Sequence, residues 1–210
     1  MIIEWLSKGG IVLYILVVIS FVMIAVMMER FVFYRNASYK INVFVNAFYE
    51  NLDIYQLEAA EDLCHENKTP IANIALKGLK SCNKNRNELK EVLENAGAHE
   101  VPKIESNLGL LSTIAYISPL LGLLGTVLGL IRAFQDFYQS TLKQELPGPG
   151  VFVNGIWESM LTTVGGLSVG IIAYVFHQYF FVKKERFIAQ LEEASDELLE
   201  IFCEKSNLQN

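Results

Sequence analysis

SNLGLLSTIAYISPLLGLLGTVLGLI, residues Ser106–Ile131, runs for 26 positions without an Asp, Glu, Lys or Arg. A helix crosses the roughly 30 Å hydrocarbon layer of a bilayer in about 20 residues, so this stretch is long enough to span. It is also rich in Gly, Ser and Thr, which lipid contact alone does not require. Membrane helices that meet other helices use such small residues to bring backbones close. Two more stretches share the absence of charge: Gly9–Met28 (20 residues) and Ser159–Val182 (24 residues). The three hold 70 of the 210 residues, and the 17 basic and 23 acidic residues all fall in the rest. This division predicts an all-α integral membrane protein, with three transmembrane helices extended by cytoplasmic helices. It argues against a soluble globular enzyme, a secreted disulfide scaffold and a disordered acidic chain.

The formal net charge of −6 comes with no basic block, so nucleic acid is not an expected partner. Cys64, Cys82 and Cys203 lie outside the apolar stretches, and none has a metal-like or redox-like partner at close spacing. An odd, scattered set fits a reducing compartment, and Cys64-His65 reads as an isolated pair. No metal and no cofactor is expected. Gly9–Met28 is preceded only by Lys8, offset by Glu4, and is followed by Glu29-Arg30 in place of a small-residue cleavage site. It reads as a retained, lipid-facing anchor.

Lys and Arg at the segment ends give an orientation. Arg30, Arg35, Lys40, Lys103, Lys183, Lys184 and Arg186 stand on one side, and Lys8, Arg132 and Lys143 on the other. The richer side is cytoplasmic by the positive-inside rule. The expected layout is a periplasmic N-terminal segment 1–8, transmembrane helix 9–29, cytoplasmic helical domain 30–105, transmembrane helix 106–133, periplasmic loop 134–153, transmembrane helix 154–182 and cytoplasmic C-terminal helix 183–210. Within the cytoplasmic domain, Ile41–Glu66 carries an imperfect one-sided apolar pattern that includes Leu52, Tyr55 and Leu57. Pro70 is placed near the start of a second helix running to about Ala98, and Pro102 marks a joint. In the tail, Phe187, Leu191, Leu198 and Phe202 recur among acidic residues, predicting a helix that continues out of the membrane. Leu146-Pro147-Gly148-Pro149-Gly150 reads as a turn.

Small residues form stripes at helical spacing. Ser118, Gly122 and Thr126 follow i, i+4, i+8, and Gly125 and Gly129 form a second pair. Thr162, Gly166 and Gly170 repeat the spacing in the third segment, with Ser159 and Thr163 alongside. These stripes predict close helix contacts within a subunit and between subunits. Pro119 is expected to bend the second helix.

The chain is not expected to be an enzyme. Gly166-Leu167-Ser168-Val169-Gly170 formally matches a nucleophile elbow, but that motif works only on a strand-to-helix turn. Gly122–Gly129 lacks the Gly-Lys-Ser/Thr ending of a phosphate loop. Ion conduction fits better. Thr126 lies six residues before Arg132, about 9 Å along a helix, and Thr163 five after Glu158, about 7.5 Å. On antiparallel helices the two hydroxyls fall at similar depth and could line a polar seam. In the alternative, each bonds its own i−4 carbonyl and only packs. Glu158 either lines an ion entrance or anchors the helix at the surface with Trp157. No carboxylate lies inside the three uncharged stretches, so a proton relay would need an acid from another protein.

Pro119–Ile131 followed by Ala133-Phe134 resembles the second-helix signature of the MotA/TolQ/ExbB proton-channel family. Glu158–Leu167 resembles the third-helix signature, and Gly9-Gly10 and Glu29-Arg30 also fit. Three membrane helices favour the ExbB/TolQ branch. The resemblance implies a homo-pentamer in the bacterial inner membrane. It surrounds a single-helix partner of the ExbD/TolR type that supplies a membrane aspartate, and a TonB- or TolA-like transducer carries the output. It places Thr126 and Thr163 toward that aspartate and Glu158 near the outer end of the third helix. It implies proton flow, or sodium flow, that energises TonB-dependent transport across the outer membrane. A TolQ-like role in envelope maintenance and a non-conducting scaffold are the alternatives. The chain departs from the family pattern after Leu167, where many relatives carry a proline and this one has Gly170-Ile171-Ile172-Ala173, implying a straighter third helix. Arg132 at a helix end and His177 near the cytoplasmic end are candidates for an entrance or gate.

Overall fold

A computed structural model describes residues 10–51, 57–67, 69–142 and 149–207, with the backbone alone for helical residues 37–40, 42, 51, 57–58, 149–152, 154 and 205–207. The expected segment 1–8, Leu52, Tyr55, Lys143 and the Leu146–Gly148 part of the turn lie outside the described residues. So do the side chains of Lys40 and Leu57.

Six helices are described: α1 (Gly10–Asn51), α2 (Leu57–Glu66), α3 (Pro70–Leu79), α4 (Arg86–Glu105), α5 (Leu108–Leu142) and α6 (Pro149–Asn207). Three helical stretches, Gly10–Asn36, Arg86–Leu142 and Gly155–Glu204, are long and apolar enough to cross a membrane. The chain is a multi-pass, all-helical membrane protein. α1 has 42 residues and α6 has 59, against the 20 or so that a crossing needs.

Several boundaries differ from the sequence reading. The segment after Pro70 is two helices, not one to Ala98. α3 ends at Leu79, and the Ser81-Cys82-Asn83-Lys84 turn leads to Asn85, which caps α4. Asn85 Oδ1 accepts from the Glu88 amide, and Asn85 Nδ2 donates to Glu88 Oε1, both at 2.9 Å. A side chain that satisfies an orphan amide at a helix start competes well with continued helix. At the start of α3, Thr69 Oγ1 accepts from the Ala72 amide and Pro70 takes the first turn, where its missing N–H costs nothing. Pro102 lies inside α4 and makes no joint. It sits on an exposed face, where water can reach the carbonyl it leaves unpaired. The joint is Asn107, whose φ of +61° is left-handed, a conformation Asn tolerates better than most residues. The expected loop 134–153 is largely helix. Residues 134–142 contain no Gly or Pro and continue α5, while Pro149 opens α6.

The chain divides into two compact units. The first, Met1–Glu29 with Asn107–Tyr179, contains the apolar parts of α1, α5 and α6. α1 is not lipid-facing all round. Val12, Leu16, Met23 and Val26 form a buried stripe, while Ile11, Tyr14, Val18 and Phe21 point outward. Leu13 and Leu16 approach Gly165 of α6, their methyl groups 3.4 and 3.8 Å from where its Cβ would stand, ordinary van der Waals contact.

The second unit, Arg30–Ser106 with Phe180–Asn210, has a core of large side chains. Phe48 stacks on Phe44 at 5.7 Å and meets Phe202 edge-on at 5.8 Å. Phe187, Leu191, Leu198 and Phe202 are all buried. The end of α4 is clamped. Arg30, 3% exposed, donates from Nη1 to the Ile104 carbonyl at 3.2 Å and from Nη2 to Ser106 Oγ at 3.1 Å. Tyr34 donates to the same carbonyl at 2.9 Å. These donors satisfy a helix-end carbonyl just before the left-handed Asn107. Buried Glu100 accepts from Asn73 Nδ2 and Lys103 Nζ.

Cys64 is buried, and burial, reinforced by the Glu61 carboxylate, pushes its thiol up to about 12. The thiolate is the reactive form, so Cys64 is protected twice. Maleimide labelling of the folded protein near neutral pH is expected to modify half-buried Cys82, in the α3–α4 turn, and half-buried Cys203 ahead of Cys64. Cys64 should react only after denaturation, as read by peptide mass spectrometry of timed samples.

Candidate functional site: a hydroxyl pair between two closely packed helices

α5 and α6 meet backbone to backbone within the first unit. A Cβ on Gly122 would lie 3.0 Å from the Thr162 carbonyl oxygen and 3.3 Å from Gly166 Cα. One on Gly129 would lie 3.0 Å from the Gly155 carbonyl oxygen, and one on Gly170 would lie 2.7 Å from the Pro119 ring. Ser118, Gly122, Gly125 and Gly129 therefore interlock with Gly155, Ser159, Thr162, Gly166 and Gly170, and all are buried. Pro119 is accommodated inside an unbroken α5 with its ring in the space left by Gly170. Such close approach gives van der Waals contact between helices in a medium that supplies no hydrophobic drive between them.

This approach brings Thr126 and Thr163 together. Their Oγ1 atoms are 3.3 Å apart, and both residues are half-buried. Each hydroxyl also reaches backbone carbonyls. Thr126 Oγ1 lies 2.7 Å from the Leu123 oxygen and 3.3 Å from that of Gly122. Thr163 Oγ1 lies 3.1 Å from the Ser159 oxygen and 3.3 Å from the same Gly122 oxygen. The two readings of the threonines are thus compatible: they back-bond and they meet. A threonine has one hydroxyl proton. Here the two protons have three carbonyls and the other hydroxyl within reach, so the pair can offer lone pairs to a third group.

Thr162 is turned into the packing seam, bonded to the Ser159 carbonyl at 3.0 Å, and belongs to the helix contact. Toward the Arg132 end of α5, the Arg132 guanidinium and Glu158 carboxylate form an ion pair at 2.5 Å, with side chains 47% and 18% exposed. Sequence reading named both residues but did not pair them. It missed Gly155, and it named Gly10 only as part of the Gly9-Gly10 pair that resembles the family, without placing it beside Glu158. The spacing of Gly155 with Ser159 and Thr163 could have signalled the first. The φ of Gly10, +60°, shows what the glycine is needed for. His177 is fourteen residues, about 21 Å, from Thr163 along α6 and is not brought to this site. Ser168 lies inside continuous helix, where no nucleophile elbow forms. Among the described residues, no group of three His, Cys, Asp or Glu is placed to hold a metal ion.

A multi-pass helical membrane protein with a small-residue seam and a polar pair inside it belongs, by class, with the helix-bundle membrane proteins. The family model of the MotA/TolQ/ExbB proton channel family matches residues 66–193, more than half of the chain. The ExbB-like 3 biopolymer transport protein of Synechocystis is 32% identical over 194 residues, covering 90% of each chain. The biopolymer transport protein exbB1 of Vibrio cholerae is 40% identical over 90 residues, 43% of this chain and 38% of that one. The Tol-Pal system protein TolQ of Pseudomonas aeruginosa is 31% identical over 111 residues, 51% of this chain and 45% of its own length. This chain belongs to the MotA/TolQ/ExbB proton channel family, in its ExbB/TolQ branch.

Proposed function

We propose that the chain is the stator-like, proton-conducting subunit of an ExbB–ExbD-type motor in the bacterial inner membrane, energising TonB-dependent transport across the outer membrane. The observation that carries this reading is the Thr126–Thr163 hydroxyl pair, 3.3 Å apart between α5 and α6, in a membrane unit whose uncharged stretches contain no carboxylate. Hydroxyls alone do not relay protons across a bilayer, so the titrating acid comes from a single-helix partner of the ExbD/TolR type. The N-terminus is periplasmic, residues 30–105 and the tail are cytoplasmic, and the chain assembles as a homo-pentamer around that partner. A TonB- or TolA-like transducer takes up the work.

The hydroxyl geometry supports an order of events at the site. With both protons on carbonyls, an arrangement these distances allow, the pair accepts, so the neutral acid, with an O–H to donate, is the form that docks first. An ionised carboxylate needs a hydroxyl to leave its carbonyl, at a cost of about 1 kcal/mol. Each proton crossing 100 mV supplies about 2.3 kcal/mol, which covers that reorientation. The second reading is a TolQ-like subunit of an envelope-maintenance system, favoured by the 31% identity to TolQ over 111 residues.

The test is proton flux in liposomes containing the chain with its single-helix partner. Thr126→Val and Thr163→Val are each expected to lower flux by about 10- to 100-fold, the loss of one hydrogen bond to a charged group, whereas Thr→Ser at either position retains it. Wild-type flux in both Val variants would remove the hydroxyl pair from the proton path and leave a scaffold role for this chain as the better reading. Replacing sodium by choline at fixed pH distinguishes the ion: proton flux is expected to be unchanged.

A further inference from the structure

The Arg132–Glu158 pair is not an ordinary surface contact. Glu158 is 18% exposed, and its carboxylate occupies the space that a side chain on Gly10 would fill. Arg132 Nη1 lies 2.9 Å from that same vacant Cβ position. Gly10 has a φ of +60°, so this position favours glycine both for its backbone and for its space. Three segments that are remote in sequence, at the start of α1, in α5 and in α6, therefore converge on one carboxylate. Arg132 lies six residues beyond Thr126 on α5, and Glu158 five before Thr163 on α6. Measured along the helix axes, the pair lies about 7.5–9 Å from the level of the hydroxyls.

We infer that Arg132 is a tethered counter-ion occupying a cation site on Glu158, and that it closes this end of the seam to free cations until the guanidinium moves away. The inference uses the geometry of the pair, while its role as a gate rests on the proton-channel reading above. A mostly buried carboxylate that loses this guanidinium loses its one ion-pair partner among the described residues, and a small planar cation of the same chemistry is the natural replacement. Arg132 is nearly half exposed, so its departure into water costs less than that of a buried guanidinium. That difference suits a gate: the anion stays in place and the cation swings.

The experiment uses the full-length protein in detergent with methylguanidinium chloride as the probe. Arg132→Ala is expected to lower the thermal unfolding midpoint by a few degrees. Millimolar methylguanidinium should recover most of that loss, and sodium chloride at equal ionic strength should not. Arg132→Ala with Glu158→Gln is expected to show no recovery. Recovery by sodium chloride alone, recovery in the double variant, or no effect of Arg132→Ala would each overturn the tethered-cation site. A second arm measures proton flux from the Arg132 side with the partner protein present. Arg132→Ala is expected to raise initial flux by about tenfold, in line with the local concentrating effect of an uncompensated charge. Unchanged or lower flux, where wild type conducts, overturns the gate. A wild-type protein that does not conduct overturns the channel reading, while methylguanidinium recovery still decides the site.

Discussion

Gly166→Val is expected to destroy the membrane unit, whereas Gly109→Ala leaves it intact or slightly stabilises it. At Gly166 a single added methyl would lie 2.5 Å from the Ser118 carbonyl oxygen, 2.8 Å from Gly122 Cα and 2.9 Å from Gly122 N. All three obstacles are backbone, so no rotamer change relieves the clash and α5 and α6 must separate. Overpacking a core costs roughly 1–3 kcal/mol when side chains can shift, and more is expected here because the backbone must move. Separation also pulls Thr163 away from Thr126, so assembly and conduction should fail together. Gly109 has nothing within 4 Å of its would-be Cβ. Ala there gains helix propensity of up to about 1 kcal/mol. The measurements are thermal unfolding in detergent and the elution profile of the purified protein. A Gly166→Val variant that elutes as wild type with an unchanged midpoint would refute the backbone-to-backbone seam.

The membrane class and the small-residue seam were legible because both rest on short-range rules. Uncharged length reports a span, and i, i+4 spacing of Ser118, Gly122, Gly166 and Gly170 reports a face. The levels of Thr126 and Thr163 followed from counting residues to the flanking charges. The errors came where competing local signals have to be weighed. Pro102 looked like a joint because proline removes a helical hydrogen bond, yet its exposed side leaves that loss to water, and Asn107 makes the break instead. Asn85 ended the supposed helix from Pro70 by capping the next one. The loop from 134 followed from the charges that flank the uncharged stretches, but these mark where a membrane segment ends, and a helix without Gly or Pro can continue past that point. The Arg132–Glu158 pair needed tertiary knowledge, since no spacing rule links residues 26 apart on different helices. Arg30 was counted only as a topological charge. Its burial depends on Ile104 and Ser106 arriving from the other end of the second unit.

The two units differ in what holds them, and Phe48→Ala exploits the difference. In the first unit, small residues let backbones touch, so adding atoms is harmful. In the second, large side chains fill a core, so removing atoms is harmful. Phe48 is fully buried between Phe44 and Phe202. Phe202 in turn fills the space beside Gly78, where a Cβ would fall 2.6 Å from its ring and 2.9 Å from Leu93. Truncation at Phe48 therefore leaves a cavity that rigid helices on several sides cannot close. Phe→Ala losses of this kind run about 3–5 kcal/mol, a large part of the 5–15 kcal/mol that holds a typical domain folded. Phe48→Leu keeps most of the volume and is expected to cost under about 1.5 kcal/mol. Hydrogen exchange in detergent is the direct readout. Phe48→Ala should speed exchange in α2, α3 and α4 and leave residues 112–130 protected, because the α5–α6 seam uses none of the lost contacts. Uniform loss of protection would mean that the units unfold as one. Selective loss has a functional corollary: with the Thr126–Thr163 pair intact, conduction measured with the partner present should persist in the same variant, which places the ion chemistry in the first unit alone.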